Sequence, residues 1–355
     1  MQTSKRLSAL AIIFCTALSC AFYKQIKPQY LKASTFFKEQ KADLSFIAVG
    51  DISFSRGIES KFVHKLKDPD KMFEHLDYFL QSADFVFGNL ETTLIEGPLI
   101  QTNQMVFRSF PYFAKILKNH NFKVLSLANN HIGDFGQEGL KSTFKNLKEQ
   151  NLIGVGSGQN IQEAQKVKFV RKGKLILAFI AHTDQAFTPG GYAATNTQAG
   201  TTMMNIDLLE KQIKFAKKYA DLTFVSMHSG TEYKIEPNSK QIEFAHAAIN
   251  FGADMVIGHH PHVVQHFELY KEKPIIYSLG NFIFDQMWSE NTKQGLAVKI
   301  KIKDKKIKNL EFYPTYNQTL GEPKLQLFQE SNSAYRKLNH PLIYKNHLGV
   351  KTLNL

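Results

Sequence analysis

Short apolar runs, each ending in a polar residue, constrain the fold of this chain more than any other feature of its sequence. From residue 44 onward these runs are rich in Val, Ile, Leu and Phe, which is typical of strands that are buried on both faces. The runs are LSFIAVG (44–50), FVFG (85–88), KVLSLA (123–128), LILAFIA (175–181), LTFVSM (222–227), DMVIG (254–258) and IIYSLG (275–280). They predict a largely buried sheet.

Segments with helical spacing lie between several of these runs. Apolar residues recur at intervals of three or four within residues 140–147, 209–220 and 242–249, and Gly252 is the expected end of the last helix. Nearer the C-terminus, GLAVKIKIKD followed by KKIKNLEFYP alternates with a period of two and predicts a β-hairpin. Strands that alternate with helices indicate an α/β domain, which we place at residues 44–315. Residues 316–355 lose the pattern and are predicted to be a C-terminal tail.

The polar residues that follow the apolar runs predict the position of a site. In open α/β sheets, ligands bind beyond the carboxyl ends of the strands. Six of the thirteen histidines follow the runs, namely His131, His182, His228, His259, His260 and His262. The other polar residues at these positions include Asp51, Asn89, Glu91, Asn129, Asn130, Asp184 and Asn281. We therefore expect one site at this end of the sheet.

The donor types in this set favour a transition metal. The candidate ligands are Asp51, Glu91, Asn130, His131, His228, His260 and His262. Carboxylate, amide and imidazole donors without sulfur suit Mn, Fe or Zn, and the set contains too much nitrogen for calcium. Seven donors exceed the needs of one tetrahedral ion and would suit two ions bridged by a carboxylate, with an activated water for attack on phosphorus or a carbonyl. Each residue alone is more often a turn former or a solvated side chain; His182, Asp184, Glu232 and Tyr233 are plausible pocket residues.

The N-terminal segment predicts export. Lys5 and Arg6 precede LSALAIIFCTALSCAFY, so residues 1–23 have the pattern of an export signal and are almost long enough for a membrane anchor. Residues 24–43 are mixed and polar and are predicted to be a linker. Both cysteines, Cys15 and Cys20, lie in the first segment, so the remaining chain has neither a disulfide nor a thiolate ligand.

The chain is strongly basic, with a formal net charge of +13 and an isoelectric point of about 9.4, mostly from lysine. This excess is explained either by a solvated lysine-rich surface or by attraction to an anionic membrane or an acidic substrate. No run mixes basic and aromatic residues in the way that a nucleic-acid platform does, so no nucleic-acid partner is predicted.

Six segments together resemble the CapA family of capsule-synthesis proteins, which are associated with poly-gamma-glutamate. The segments are VGDISFSRG, GNLETTL, LANNHIGDFG, HSGTEY, GADMVIGHHPHVVQ and YSLGNFIFD, and they span roughly residues 44–300. The domain of this family is similar to the calcineurin-like metallophosphoesterases. The resemblance therefore implies a metallophosphatase-like α/β/β/α sandwich, in which two sheets are flanked by helices.

The resemblance also implies residue roles. Asp51 is implied to be the metal ligand of the first strand, Glu91 the bridging carboxylate, and Asn130 a contact to metal and phosphate. His131 is the implied catalytic acid, and the implied remaining ligands are His228, His260 and His262, with Pro261 fixing the backbone between the last two. The residues expected to face the substrate or to support the ligands are His182, Asp184, Glu232, Tyr233, His259 and Asn281.

The chain departs from the phosphoesterase pattern at two positions. Ser53 stands where an Asp-x-His motif would place an imidazole, and Glu91 stands where the bridging residue is usually Asp. The expected cofactor is therefore one or two divalent ions.

Two functions are compatible with this sequence. The first is an exported, metal-dependent hydrolase of phosphoester type that acts in biosynthesis of a capsule or poly-gamma-glutamate. The second is a non-hydrolytic accessory protein that binds the anionic polymer or its precursor and assists synthesis, export or anchoring together with membrane-bound partners. A structural domain with a decayed site is a third interpretation. The expected location is extracytoplasmic, either anchored to the cell membrane or released as a secreted or periplasmic protein.

Overall fold

The computed structural model describes residues 43–65, 67–326, 343–344 and 350–355. The predicted export signal or anchor (1–23), and the predicted linker apart from its last residue, lie outside the described residues. Among the helices of the described residues, none combines the length and the apolar character that crossing a bilayer requires.

The described chain alternates strands with helices. The strands are, in chain order, β1 (Leu44–Ile52), β2 (Phe85–Leu90), β3 (Thr93–Leu94), β4 (Arg108–Ser109), β5 (Phe122–Ser126), β6 (Ile153–Val155), β7 (Ser157–Gly158), β8 (Lys168–Lys172), β9 (Leu175–Thr183), β10 (Gly200–Thr201), β11 (Leu222–His228), β12 (Met255–His259), β13 (Phe267–Tyr270), β14 (Lys273–Ile276), β15 (Asn281–Ile283), β16 (Gln294–Lys303), β17 (Lys306–Thr319), β18 (Glu322–Leu325), β19 (Ile343–Tyr344) and β20 (Lys351–Asn354). The longer helices are α1 (Phe113–Asn119), α2 (Gly136–Glu149), α3 (Ile206–Tyr219) and α4 (Ser239–Phe251). Short helical turns occur at Gly57–Glu59, Ser60–His64, Pro69–Phe73, Asp77–Leu80, Ile161–Ala164, Gly190–Tyr192 and Glu290–Lys293.

Two large sheets organise these elements. The first sheet has the strand order β19-β20-β17-β16-β1-β2-β5-β6, with β15 also paired to β1 and β18 to β17. Its strands β1, β2, β5 and β6 are parallel, whereas β16 and β17 form an antiparallel hairpin against β1. The second sheet has the order β13-β14-β12-β11-β9-β8, with parallel strands inside and antiparallel strands at both edges. Most of the parallel strands of both sheets are apolar runs of the sequence.

The two sheets pack face to face through an aromatic core. Phe46 of β1 stacks on Phe85 at 5.1 Å between ring centroids and meets Phe224 of the second sheet edge-on at 5.0 Å. Phe87 stacks on Phe179 of β9 at 5.6 Å. These rings are almost completely buried, and burying a side chain of this size contributes roughly 1.5–3 kcal/mol to the free energy of unfolding.

Helices cover both outer faces. Ile47 and Val49, which alternate with the inward residues of β1, belong to the core beneath α1 and α2, whereas Ile180 and Val225 of the second sheet belong to the core beneath α3 and α4. Successive side chains of a strand point to opposite faces, so strands in the middle of such a stack must be apolar throughout. The predicted four-layer α/β/β/α fold is confirmed.

Local signals fix both ends of the last long helix, and its end at Gly252 was predicted. The side chain of Asn238 accepts the main-chain N–H of Gln241, which completes a capping box at the start of α4. Gly252, with φ of 106°, ends this helix in the left-handed region that favours glycine. Two predicted strands end earlier than expected, because the KVLSLA run leaves the sheet after Ser126 and the IIYSLG run after Ile276.

The C-terminal part differs from its prediction. The predicted hairpin is present as β16 and β17, but β17 continues to Thr319, beyond the boundary placed at residue 316. Strands β18 and β20 then both pair with β17. The described residues after 316 therefore extend the first sheet instead of forming a separate tail. Residues 327–342 and 345–349 of the predicted tail lie outside the described residues.

Candidate metal centre

The carboxyl end of the first sheet sets three polar residues side by side. Asp51 lies opposite Asn89 of β2 and opposite Asn281 of β15 in the strand register. The register of β1 shifts just before Asp51, where a Cβ on Gly50 would lie 1.9 Å from the carbonyl oxygen of Gly280. Glycine at position 50 therefore permits the close approach of β1 to β15 that brings Asp51 beside Asn281.

The second sheet ends in a histidine turn. His228, the last residue of β11, lies opposite His259, the last residue of β12. After β12 the chain turns sharply, and His260 and His262 adopt positive φ angles of 99° and 58° on either side of Pro261. Side chains other than glycine rarely adopt such angles, and strain of this kind concentrates at functional sites. The turn aims both imidazoles toward the first sheet.

Two groups of buried donors meet between the sheets. One ligand atom from each of Glu91, His228 and His260 lies within 4.8 Å of the other two, and the same holds for Asp51, Glu91 and His262. Glu91 belongs to both groups, and its Oε1 lies 3.7 Å from Nε2 of His228 and 3.7 Å from Nε2 of His262. Glu91 is therefore the carboxylate that the two donor groups have in common.

Two orphaned atoms indicate that the site is built for a ligand. Oε1 of Glu91 and Nδ1 of His260 are buried and have no hydrogen-bond partner in the described protein. Buried polar atoms are almost always paired, because leaving one unpaired costs about 1–3 kcal/mol. Both atoms belong to the donor groups, so the residues present fit a divalent metal ion.

The electrostatics of the carboxylates support the same interpretation. Burial raises the pKa of Glu91 well above its usual value, and the negative charges of Asp51, Glu232 and Asp134 add to the effect. Burial also acts to raise the pKa of Asp51, but the hydrogen bond and charge of His262 outweigh it, so the pKa of Asp51 is lowered. Two carboxylates with opposite shifts share one buried space, which bound cations would neutralise.

Two imidazoles of the cluster, His228 and His260, are held neutral. Burial lowers the pKa of His228 and of His260 well below the usual value, and the neighbouring imidazoles lower it further. A neutral imidazole has a free lone pair, which is the form that binds a metal. His260 is also fixed by the ring of Phe187, which stacks on it at 3.6 Å.

Asn281 orients His262. The Nδ2 of Asn281 donates to Oε1 of Gln286 at 3.1 Å and to the carbonyl oxygen of Thr292 at 3.0 Å, so its Oδ1 is the accepting atom. Nδ1 of His262 therefore donates to this oxygen, at 2.9 Å. With the proton on Nδ1, the lone pair of Nε2 faces Glu91. Outer partners of this kind fix the tautomer of metal-binding histidines.

Two asparagines tie the donor groups together. Nδ2 of Asn89 lies 2.9 Å from Oδ1 of Asp51, 3.3 Å from Oε2 of Glu91 and 3.2 Å from Nδ1 of His228. Oδ1 of Asn130 lies 2.8 Å from Nε2 of His228. The structure thus places the predicted ligand Asn130 at the edge of the first group and adds Asn89 at its centre.

His131 stands beside the cluster as half of a dyad. Its Nδ1 lies 2.8 Å from Oδ2 of Asp134, and its ring packs on Phe107 at 3.8 Å. Asp134 is held in turn by the N–H of Phe107 and by the hydroxyl of Tyr192, at 2.6 and 3.2 Å. Burial and the charge of Asp134 raise the pKa of Tyr192 to about 12, so that this hydroxyl keeps its proton and donates. The dyad fixes the His131 ring and leaves Nε2 to exchange a proton.

Among the predicted site residues outside the donor groups, His182, His259 and Asp184 form hydrogen bonds that are directed away from both groups. His182 faces α3, where Nε2 contacts Oε1 of Gln212 at 2.6 Å and Nδ1 contacts the carbonyl oxygen of Met203 at 3.1 Å. His259 contacts the carbonyl oxygen of Val49 through Nε2 at 3.2 Å and thereby links the two sheets. The placement of His182 contradicts a substrate-facing role, because alternate residues of β9 point away from the site.

Asp184, the third of these residues, contacts the turn that follows β11 and helix α4. Its Oδ2 accepts the hydroxyl of Ser229 at 2.9 Å, and its Oδ1 forms an ion pair with Lys240 of α4. Both contacts stabilise the loop after His228, so Asp184 supports the site without facing a ligand.

Glu232 and Tyr233 lie toward the opening of the site. The negative charge of Glu232 raises the pKa of Glu91. This effect is smaller than those of burial and of the charge of Asp51. Tyr233 is 40% exposed, and its ring lies 6.3 Å from that of His262 and 5.8 Å from that of Trp288, which is 62% exposed. The structure therefore places Tyr233 between the donor groups and solvent.

The structure adds residues to which the sequence alone assigned no role. Asn89 had a detectable signal, since it precedes Glu91 by two residues at the end of β2, and Asp134 follows His131 by three residues. Arg56 is buried with φ of 54°, packs over Phe107 at 4.5 Å and forms an ion pair with Asp285. The Arg56–Asp285 contact joins residues far apart in sequence, which no local pattern reveals.

The missing first-strand imidazole is also explained in the structure. Ser53 is buried, and its Oγ accepts the N–H of Ser55 at 3.4 Å. Among the described residues, each donor group contains three protein ligands without a contribution from position 53.

The described residues thus form a four-layer sandwich with two donor groups that share Glu91 at the strand ends. Residues 45–286 match the family described as "Bacterial capsule synthesis protein PGA_cap", and the chain belongs to that family. It is 37% identical over 306 residues to "Capsule biosynthesis protein CapA" of Bacillus anthracis, a match that covers 83% of this chain and 72% of the relative. It is 33% identical over 292 residues to "PGA biosynthesis protein CapA" of Bacillus subtilis, a match that covers 81% of this chain and 74% of the relative. The predicted resemblance is confirmed.

A solved structure supports the fold alone. The crystal structure of a hypothetical protein from Thermus thermophilus aligns with a TM-score of 0.52 at 13% identity and covers 76% of this chain and 98% of that one.

Proposed function

We propose that the protein acts in the biosynthesis of a capsule or poly-gamma-glutamate as an exported, metal-dependent hydrolase of phosphoester type. The observation that carries this proposal is the pair of buried donor groups that share Glu91. Membership of the capsule-synthesis family and the names of the CapA relatives support the polymer pathway.

The donor groups would hold one or two ions of Mn, Fe or Zn. His228 and His260 would bind on one side of Glu91, and Asp51 and His262 on the other. Divalent ions in such a site supply Lewis acidity toward a phosphoryl oxygen and activate water. Asn130, which is less buried than its neighbours and contacts His228, would bind both an ion and the substrate.

His131 is the proposed proton donor to the leaving group. Asp134 holds its Nδ1–H, so that Nε2 is the nitrogen that delivers the proton. Arg56 places a permanent positive charge near Glu91. This charge acts to lower the pKa of Glu91, but burial and the charge of Asp51 have larger effects in the opposite direction. This charge favours an anionic substrate.

Export and membrane partners form part of the proposal. Residues 1–23 would direct the chain out of the cytoplasm and would either be removed or anchor it beside membrane-bound capsule-synthesis proteins. The support for this step is the charged and apolar pattern of that segment.

Metal content tests the proposal most directly. The full-length protein, purified without chelator, would be measured by elemental mass spectrometry beside the Asp51→Ala/His260→Ala double variant. One or two ions per chain, absent from the double variant, are expected. His182→Gln is the matched control, because it removes a buried imidazole that is outside both donor groups. An ion-free protein after reloading with Mn, Fe and Zn would rule out the metal mechanism.

Activity is the second part of the test. The metal-loaded protein would be assayed on a panel of phosphomonoesters and phosphodiesters. We expect His131→Ala to lose about 10²–10⁴-fold in turnover while keeping its metal, because general acid catalysis contributes a factor of this size. Equal turnover in His131→Ala and the unchanged protein would contradict the assigned role.

A non-hydrolytic accessory function is the second candidate. The formal net charge of +13 favours it, because a basic surface attracts an anionic polymer. This function predicts polymer binding that weakens with salt and that survives Asp51→Asn. Polymer binding that requires Asp51 would instead favour the hydrolase.

A further inference from the structure

A basic groove lies along the outer face of α2. Two adjoining cavities of about 760 and 510 Å³ share Phe144, Lys148, Glu163 and Lys168 in their walls. One wall is formed by α2, and the other by β8 and the residues that precede it. The groove is distinct from the donor groups, none of whose residues lines it.

Lysines occupy both walls of the groove. Lys141, Lys145 and Lys148 are exposed and follow the spacing of one helix face. Lys166 and Lys168 face them from the other wall. Five lysines thus meet two glutamates, Glu149 and Glu163, in the larger cavity. Within the described chain, the one ion pair of these lysines is the exposed contact of Lys145 with Glu149 at 3.9 Å.

The close lysines of the groove destabilise the isolated protein slightly. Like charges four residues apart destabilise a helix by a few tenths of a kcal/mol per pair. Burial lowers the pKa of Lys168, and the nearby charge of Lys166 lowers it further. Lysines on β8 are explained by its position at the edge of a sheet, where they prevent edge-to-edge pairing. That explanation does not extend to α2, which is a helix and still contributes three lysines.

We infer that the groove along α2 binds a segment of a polycarboxylate chain. The lysine ammonium groups are mobile point charges that suit single carboxylates spaced along a flexible polymer, whereas bidentate phosphate recognition favours Arg. The aromatic residues of the walls, Phe144 and Phe169, pack against the hydrophobic cores and leave no exposed stacking platform among the described residues of the groove.

The groove follows the later part of the helix that begins after the His131–Asp134 dyad. Helix α2 begins two residues after Asp134, and Lys148 lies seven residues beyond Lys141, a distance of about 10 Å along the helix axis. The identity of the polymer, poly-gamma-glutamate, rests on the proposed function, whereas the groove itself rests on its charges and shape.

Polymer binding by a groove variant tests the inference. Fluorescently labelled poly-gamma-glutamate would be titrated with the full-length protein and followed by anisotropy. The Lys141→Gln/Lys145→Gln/Lys148→Gln variant should bind about tenfold more weakly or worse, and its binding should depend less on salt. The matched control removes three lysines of similar spacing from α3, namely Lys211, Lys214 and Lys218, and should change the Kd by less than about twofold.

Three results would overturn the inference. The first is an unchanged Kd in the α2 variant, and the second is an equal loss in the α3 control. The third is equally tight binding of single-stranded DNA or polyphosphate, which would show a surface without preference for carboxylates. Lys166→Gln, on the opposite wall, is a second variant that should weaken binding about twofold or more. Metal content should be unchanged in all lysine variants, so a failure here is distinguishable from a failure of the hydrolase proposal.

Discussion

Buried histidines at the ends of neighbouring strands have two different environments in this protein. His228 and His260 lie among carboxylates, and one nitrogen of His260 has no partner in the described protein. His182 and His259 follow equivalent strands and are just as buried, but their ring nitrogens contact amide, carbonyl or hydroxyl groups. Position at a strand end and burial are therefore shared. The difference is that Glu91 lies beside His228 and His260, although the ring nitrogens of His228 also contact the amides of Asn89 and Asn130.

The comparison shows what makes a buried imidazole available. An imidazole that belongs to neither donor group and whose two nitrogens contact fixed neutral groups contributes to packing, and metal binding there would break existing hydrogen bonds. An imidazole beside carboxylates with an unpaired lone pair gains partners when a cation binds. Experiments that exchange or remove these partners test the distinction.

Glu91→Gln should have the largest effect, because Glu91 is the one ligand common to both donor groups. We expect metal affinity to fall by more than about 100-fold. Removing a residue that only hydrogen-bonds to a metal ligand has a smaller effect. Without metal, the variant should be at least as stable as the unchanged protein, because a buried unpaired carboxylate is removed. Metal titration and urea unfolding in chelator measure the two effects. Full metal content in Glu91→Gln would show that the cluster is not the metal site.

Neighbouring histidines provide the sharpest pair of variants. His260→Gln should lose an ion while the stability of the metal-free protein changes little, since Nδ1 of His260 has no partner in the described protein. His259→Gln should keep its metal and lose about 1–3 kcal/mol of unfolding free energy, because it breaks the link to Val49. Metal content and urea unfolding would be measured for both. If both variants behaved alike, the comparison between the two environments would fail.

Removing the hydrogen-bond partner of a metal-binding histidine should have an intermediate effect on metal affinity. Asn281→Leu removes the oxygen that fixes the Nδ1–H of His262, and metal affinity should fall about 10–100-fold. Gln212→Leu is the matched control, because it removes the corresponding support of His182 and should leave metal affinity unchanged. Competition with a fluorescent chelator measures both variants. Equal affinities in the two would argue against the orienting role of Asn281.

The sequence predicts the layers of the fold and the meeting of the site residues at one edge of the sheets. It predicts the hydrogen-bond partners of these residues less well. Runs that are apolar on both faces specify buried strands locally, and parallel strands bring their carboxyl ends together, so Asp51, Glu91, His228, His260 and His262 were expected at one edge. The outward direction of His182 depends on the phase of β9, and one residue of shift would reverse it.

Long-range pairings escape local patterns for a related reason. Strand β20 joins β17 across some forty residues of sequence, through contacts such as Leu310 with Leu353. The dyad of His131 with Asp134 is close in sequence, but the hydroxyl of Tyr192 that completes it comes from a distant loop. Such contacts depend on the packing of the whole domain.

The pH dependence of stability at His182 provides a further test of the comparison. Burial lowers the pKa of His182 to about 4, against the opposing hydrogen bonds of Gln212 and Met203. Because the unfolded chain binds this proton at a higher pH than the folded chain, the unfolding free energy should rise between about pH 4 and pH 6.5, by up to about 3 kcal/mol. The cluster histidines act in the same direction, so the contribution of His182 is obtained as a difference. In chelator, His182→Gln should show a shallower rise over this range by urea unfolding. Parallel curves would mean that His182 titrates alike in the folded and unfolded chain, and that its burial has no electrostatic cost.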